Sequence, residues 1–250
     1  MRRHLLVAAV LAVVVALAAA GVAVAEKPVK VKAGNLELTF NGGFKPKALS
    51  KKKLTPIKFN ISGQVRTLDG SHPPALKEFV LETDKNAAIN VKGLPTCTAG
   101  KLQSQDSAHA KAICKSSIIG TGTADAQIQF PEQAPIPVHS PLYLFNGGFK
   151  GGTTTLYLHA YITVPTPAAI VTVIKIKKFH HGRFGLKSVA TIPKIAGGNG
   201  SVTSFNLNIT KHGVLSAKCT DGKLQAHGTA VFSDGTRASA GVVRTCTPKG

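Results

Sequence analysis

Alternation of apolar and polar side chains is the feature that most restricts this chain. Leu36, Leu38 and Phe40 share one face of an extended segment, as do Ile57, Phe59 and Ile61. Phe79 and Leu81 do the same, and so do Leu156, Leu158, Ala160, Ile162 and Val164. Ile170, Ile174 and Ile176 continue the pattern, followed by Phe205, Leu207 and Ile209. A period of two is the signature of half-buried strands, and clusters of Gly, Pro, Asn and Asp separate the runs. Beyond residue 25 no long stretch has helical periodicity; one short helix is expected within Gln103 to Ala112. Many short strands without intervening helices predict an all-β protein, an antiparallel β-sandwich of immunoglobulin-like or jelly-roll-like type.

Two echoes divide the chain. FNGGFK occurs at Phe40 to Lys45 and again at Phe145 to Lys150, and CTAGKLQ at Cys97 is answered by CTDGKLQ at Cys219. The order is the same both times, which reads as two related halves; the Asn-Gly-Gly segments read as turns. Between them, Pro131 to Pro141 holds four prolines in eleven residues, a composition foreign to a central strand. It serves as a linker or crossover (131–141) between β-sandwich domains at 26–130 and 142–250. One hairpin can be placed in register. If Ser233 pairs with Thr236 across Asp234-Gly235, Cys246 lies opposite Lys223, and a Cys219–Cys246 bridge needs the chain to fold back through Thr220-Asp221-Gly222.

Residues 1–25 read as a secretory signal peptide: Arg2-Arg3, an Ala/Val/Leu run, then Ala23-Val24-Ala25 before Glu26. If uncleaved, the segment would anchor the chain in a membrane; cleaved, it leaves a secreted or envelope-associated protein. Four cysteines in an exported chain read as two disulfides, for which three pairings exist. The local pairing, Cys97–Cys114 and Cys219–Cys246, keeps each bridge within one half. No Cys-x2-4-Cys pair is present, so a zinc site has no scaffold.

Loss of Arg2 and Arg3 lowers the formal charge from +20 to +18, against only eleven acidic residues. Such a chain is drawn to polyanions: teichoic acid, acidic polysaccharide or nucleic acid. The candidate binding residues form two clusters: Lys45, Lys47, Lys51, Lys52 and Lys53, and Lys175, Lys177, Lys178, Arg183 and Lys187. Phe44, Phe179 and Phe184 are interleaved with them and could stack on bases or sugars. A basic surface that serves solubility alone gives the same sequence pattern.

Catalytic signatures are sparse. No Gly-x-Ser-x-Gly elbow occurs. His227-Gly228-Thr229 resembles the histidine segment of L,D-transpeptidases, but Arg244-Thr245-Cys246 stands where those enzymes carry Ser-x-Gly-Cys. Gly120-Thr121-Gly122 lacks the third glycine of a dinucleotide loop, so no nucleotide cofactor is expected, nor any other. Glu78, Glu82 and Asp84 share a strand face that reads as solvated rather than catalytic. His180-His181 and His159 lack a third ligand at a fixed offset, and no metal is expected.

The segments Pro74 to Lys77 with Lys92 to Cys97, and Ile192 to Gly198 with Cys219 to Lys223, resemble an uncharacterised group of exported, disulfide-containing, β-rich proteins of actinobacteria. The resemblance implies export, paired disulfides and a β-rich fold, and no activity. Together these readings point to a non-enzymatic envelope or extracellular protein that binds anionic polymers through lysine-rich loops. The alternatives are a secreted hydrolase acting on wall or polysaccharide, and a purely structural interaction module.

Overall fold

A computed structural model describes residues 26–250; the expected signal peptide lies outside the described residues. The chain runs through β1 (Val29–Ala33), β2 (Leu36–Lys45), β3 (Ala48–Ser50), β4 (Thr55–Pro56), β5 (Lys58–Thr67), β6 (Leu76–Asp84) and β7 (Ala87–Ile89). Two short helices follow, α1 (Ala99–Leu102) and α2 (Ser107–Ile113). Then come β8 (Ile118–Ile128), β9 (Ile136–Lys150), β10 (Thr153–Ile162), β11 (Ala168–His181), β12 (Phe184–Thr191) and β13 (Gly200–Ile209). The last elements are β14 (Leu215–Ala217), β15 (Lys223–Phe232), β16 (Arg237–Thr245) and β17 (Thr247–Lys249).

The protein is antiparallel and mostly β, but its main sheet is a nearly closed barrel rather than a sandwich. Twelve strands follow the order β1-β2-β5-β13-β8-β9-β10-β11-β12-β6-β15-β16. The ends of that order meet: Val29, Val31 and Ala33 of β1 pack with Ala238, Ala240 and Val242 of β16. Alternation supplies each strand with one apolar face, and that face serves a sandwich or a barrel equally well. What closes the barrel is long-range pairing, which the alternation does not encode. β13 inserts between β5 and β8, and β6 between β12 and β15.

Strands from 26–130 and 142–250 therefore interleave in one sheet. Residues 131–141 do not bridge two bodies: they form the β8–β9 connection and the start of β9, whose Ile136 pairs with Ile128. The echoed motifs also diverge. Both FNGGFK copies lie within strands instead of at turns. Phe40 faces the barrel core, whereas Phe145 packs outside it with Cys97, Leu102, Ala110 and Cys114. CTAGKLQ leads into α1, while CTDGKLQ turns at Gly222 (φ 82°) into β15. The β15–β16 hairpin has a three-residue loop, with the Phe232 N–H bonded to the Thr236 carbonyl and Gly235 at φ 89°. That shifts the expected register by one, to Lys223 opposite Thr245. The helix expected within Gln103 to Ala112 is α2, which starts later and runs one residue further, to Ile113, while α1 precedes the expected region. Asp106 caps α2, its side chain accepting the His109 N–H at 2.8 Å.

Both disulfides are the local pairs, Cys97–Cys114 and Cys219–Cys246. The second uses the fold-back through Thr220 to Gly222, where the Cys246 N–H bonds to the Gly222 carbonyl. Following the antiparallel register around the barrel gathers Lys45, Lys58, Lys150, Lys177, Asp84 and Thr245 at one end, called upper here. The small sheet β4-β14-β7 covers that end.

Candidate functional site: the lumen and its basic rim

A barrel of about eight strands is just filled by its own side chains; twelve strands enclose more space. Several inward positions here are also small: Gly42, Ala226, Gly228 and Ala240. Two adjoining cavities result, of about 170 Å³ in the upper half and about 210 Å³ in the lower. They share a waist that includes Phe59, Ile61, Phe79, Leu156, Ile176 and Ser188. Phe79 lines both cavities, stacked on Phe40 at 6.0 Å and edge-on to Phe205 at 6.1 Å. Phe59, Ile61, Phe79 and Leu158 point inward yet are only partly buried, because the lumen beside them is unfilled.

Polar groups gather at the upper margin. Arg244 is 7% exposed and lines the upper cavity. Its Nε donates to the Gly42 carbonyl at 2.5 Å, one terminal nitrogen to the Val243 carbonyl at 2.9 Å, and the other to Asn41 Oδ1 at 2.7 Å. The contacts to Gly42 and Asn41 cross from β16 to β2 above the start of β1, where the two sheet edges share no ladder. Glu26 joins them: Oε1 accepts from the Thr245 N–H at 2.5 Å and from its hydroxyl at 2.9 Å, and Oε2 lies 3.0 Å from Lys47 Nζ. Burial raises the Glu26 pKa, but the Thr245 N–H, the Lys47 ammonium and the Thr245 hydroxyl outweigh it and hold the carboxyl below its ordinary value. Side chains, not backbone, lace this part of the barrel.

Both lysine clusters stand at the upper end, on opposite walls. Lys45 ends β2, the second strand in the sheet order, and Lys47 follows it; Lys175, Lys177 and Lys178 lie on β11 and Lys187 on β12, the eighth and ninth, with Arg183 in the turn between them. Lys51, Lys52 and Lys53 are exposed in a turn whose Ser50 hydroxyl accepts the Lys52 and Lys53 N–H groups. Lys45, Lys175, Lys177 and Lys178 are also exposed. Others are engaged. Lys47 pairs with Glu26 and lies 4.5 Å over the Phe44 ring. Lys187 approaches Glu82 at 3.7 Å and covers Phe179 at 5.3 Å. Arg183 grips Asp84 and Asp221, which holds the Asp221 carboxyl down to about 2 and raises the Arg183 pKa in turn.

The remaining candidates disperse. Glu82 meets His227 and Lys187 on the outer wall, while Asp84 turns into the Arg183 network. His180 and His181 end β11, beside the turn into β12, and His159 is buried under α1 and α2. Among the described residues no cluster of three or more His, Cys, Asp or Glu could hold a metal. Gly120 and Gly122 mark a close strand approach: a Cβ at Gly122 would sit 1.9 Å from the Asn206 carbonyl oxygen. Reading the sequence missed Glu26, Arg244 and the lumen itself. Their one visible signal is the alternation of small residues at Ala226, Gly228, Ala230, Ala238 and Ala240. No protein-family model matches the chain, and a search of curated proteins finds no match.

Proposed function

We propose that this is an exported, non-enzymatic protein that binds a molecule with an apolar chain inside its barrel. The observation that carries the reading is the pair of joined apolar cavities. At about 24 cal/mol per Å³, a void of about 210 Å³ forfeits about 5 kcal/mol of packing. That is comparable with the whole net stability of many domains, about 5–15 kcal/mol. An apolar occupant recovers much of it. Together the cavities reach the lower end of the range for small-molecule sites, about 300–1,000 Å³. The two disulfides fit an oxidising, extracytoplasmic setting. Titration with cis-parinaric acid, read by its fluorescence, tests the proposal. Saturable binding of one probe per chain supports it; linear, unsaturable uptake counts against a lumen site.

Binding of anionic polymers at the upper rim is a second reading, favoured by the exposed Lys51 to Lys53 and Lys175 to Lys178. Binding to teichoic acid, heparin and duplex DNA that falls steeply with salt, and is lost on Lys51, Lys52 and Lys53 to Ala substitution, supports it. Salt-insensitive or absent binding leaves the lysines a solubility role.

A further inference from the structure

Glu26 precedes β1, and its carboxylate sits in an anion pocket more elaborate than a surface ion pair. The Thr245 N–H and hydroxyl converge on one oxygen, while Lys47 Nζ at 3.0 Å and Arg244 Nε at 3.4 Å face the other. Two cations and two neutral donors thus meet a single carboxylate. The pocket adjoins the lumen: Arg244 and Phe44 line the upper cavity, and Lys47 lies over the Phe44 ring. Arg244 has five N–H groups, and the Gly42, Val243 and Asn41 oxygens take three of them.

Glu26 is also placed to leave. It is carried at the edge of the sheet, on a segment whose strand β1 pairs, among the described residues, only with β2. Its side chain retains 23% exposure. Withdrawing it breaks no backbone ladder between β1 and β16.

We propose that this pocket is the headgroup subsite of the lumen, that Glu26 fills it in the empty protein, and that the ligand is a single-chain amphiphile ending in a carboxylate. The proposal rests on the lumen-binding reading above. A long-chain fatty acid presents the same functional group as Glu26. When it displaces that side chain, Lys47 and Arg244 keep a charge-assisted partner. An alcohol of equal chain length brings no charge, so it leaves Glu26 seated and gains nothing from the two cations.

The test compares palmitic acid with 1-hexadecanol as competitors of cis-parinaric acid, on the folded wild-type protein and on Glu26→Ala, Glu26→Gln and Lys47→Gln. Vacating the pocket with Glu26→Ala is expected to tighten palmitic acid about tenfold and leave hexadecanol within about twofold. Glu26→Gln, which keeps the size of the side chain, moves palmitic acid in the same direction. Lys47→Gln weakens palmitic acid about fivefold and spares hexadecanol. Acid and alcohol shifting together, or Glu26→Ala weakening the acid, overturns the headgroup assignment while the lumen reading stands. Failure of every probe to bind the folded proteins overturns both.

Discussion

Arg183 Nε donates to Asp84 Oδ2 at 2.7 Å, joining residues 99 positions apart in the chain. Asp84 is 1% exposed, and its carboxylate also accepts the N–H groups of Gln225 at 3.1 Å and Asn86 at 3.0 Å. The same guanidinium reaches Asp221 and the Lys223 carbonyl, so one side chain ties β6, β12 and β15 together beside the upper cavity. Replacing Arg183 by Ala leaves a buried carboxylate without its cation, and about 3 kcal/mol of stability should be lost. Urea unfolding measures it. A loss within about 0.5 kcal/mol would show that Asp84 is satisfied by the backbone donors alone.

Stability should fall below neutral pH through His159. Its ring is fully buried under the helices, with Nε2 2.9 Å from the Gln105 carbonyl and Nδ1 without a partner among the described residues. Burial pushes its pKa below the ordinary 6.5; the Gln105 carbonyl and the nearby Asp106 carboxylate act weakly in the other direction. The unfolded chain therefore binds the proton more readily. The histidine's contribution is complete above pH 6.5 and is lost as the pH drops from there through the folded pKa. His72, also pushed down by burial, acts in the same window. The comparison is thus between wild type and His159→Gln across pH 5 to 8: the variant should show the shallower slope, and equal slopes would remove His159 from the account.

Gly122 should tolerate no side chain. Its hypothetical Cβ meets the Asn206 carbonyl oxygen at 1.9 Å and the Leu207 Cα at 3.0 Å, all backbone that cannot swing away. Gly122→Ala must part β8 from β13, at a cost of about 3 kcal/mol or more. Gly241, whose Cβ would meet nothing within 4 Å, is the control. Equal melting temperatures for the two alanine variants would contradict the close approach.

The local part of the fold was legible and the global part was not. Alternation at Leu36-x-Leu38-x-Phe40 and along β10 identified strands because a pleated backbone imposes that period whatever lies opposite. The disulfides are the local pairs that the reading chose from three, although the two halves on which that choice rested interleave in one sheet. Closure depended on β6 and β13 finding partners far along the chain, and no residue pattern announces those pairings. FNGGFK shows the limit sharply. One copy turns Phe40 inward and the other turns Phe145 outward, because a strand's face is set by its neighbours and not by its own six residues. The lumen was hidden for a related reason: a cavity consists of what facing walls leave unfilled. The lysine clusters could be seen as charges, but the carboxylates that engage Lys47, Arg183 and Lys187 are remote in sequence.

The waist offers a test in which stability and binding should move in opposite directions. Ser188 on β12 borders both cavities, opposite Ile176 on β11 and Leu81 on β6. Leucine there replaces a small hydroxyl-bearing side chain with a larger apolar one, directed into unfilled space. Cavity filling of this kind commonly adds about 1 kcal/mol, a rise of a few degrees in melting temperature. The same atoms occupy the passage that an extended chain needs to span both cavities. Ser188→Leu should therefore melt higher and bind cis-parinaric acid at least about tenfold more weakly, since a blocked waist leaves only half the lumen. A ligand held outside the barrel, on the basic rim, would be indifferent to Ser188. Unchanged affinity in a stabilised variant would thus place the binding site on the lysines and leave the lumen as an unfilled consequence of twelve strands.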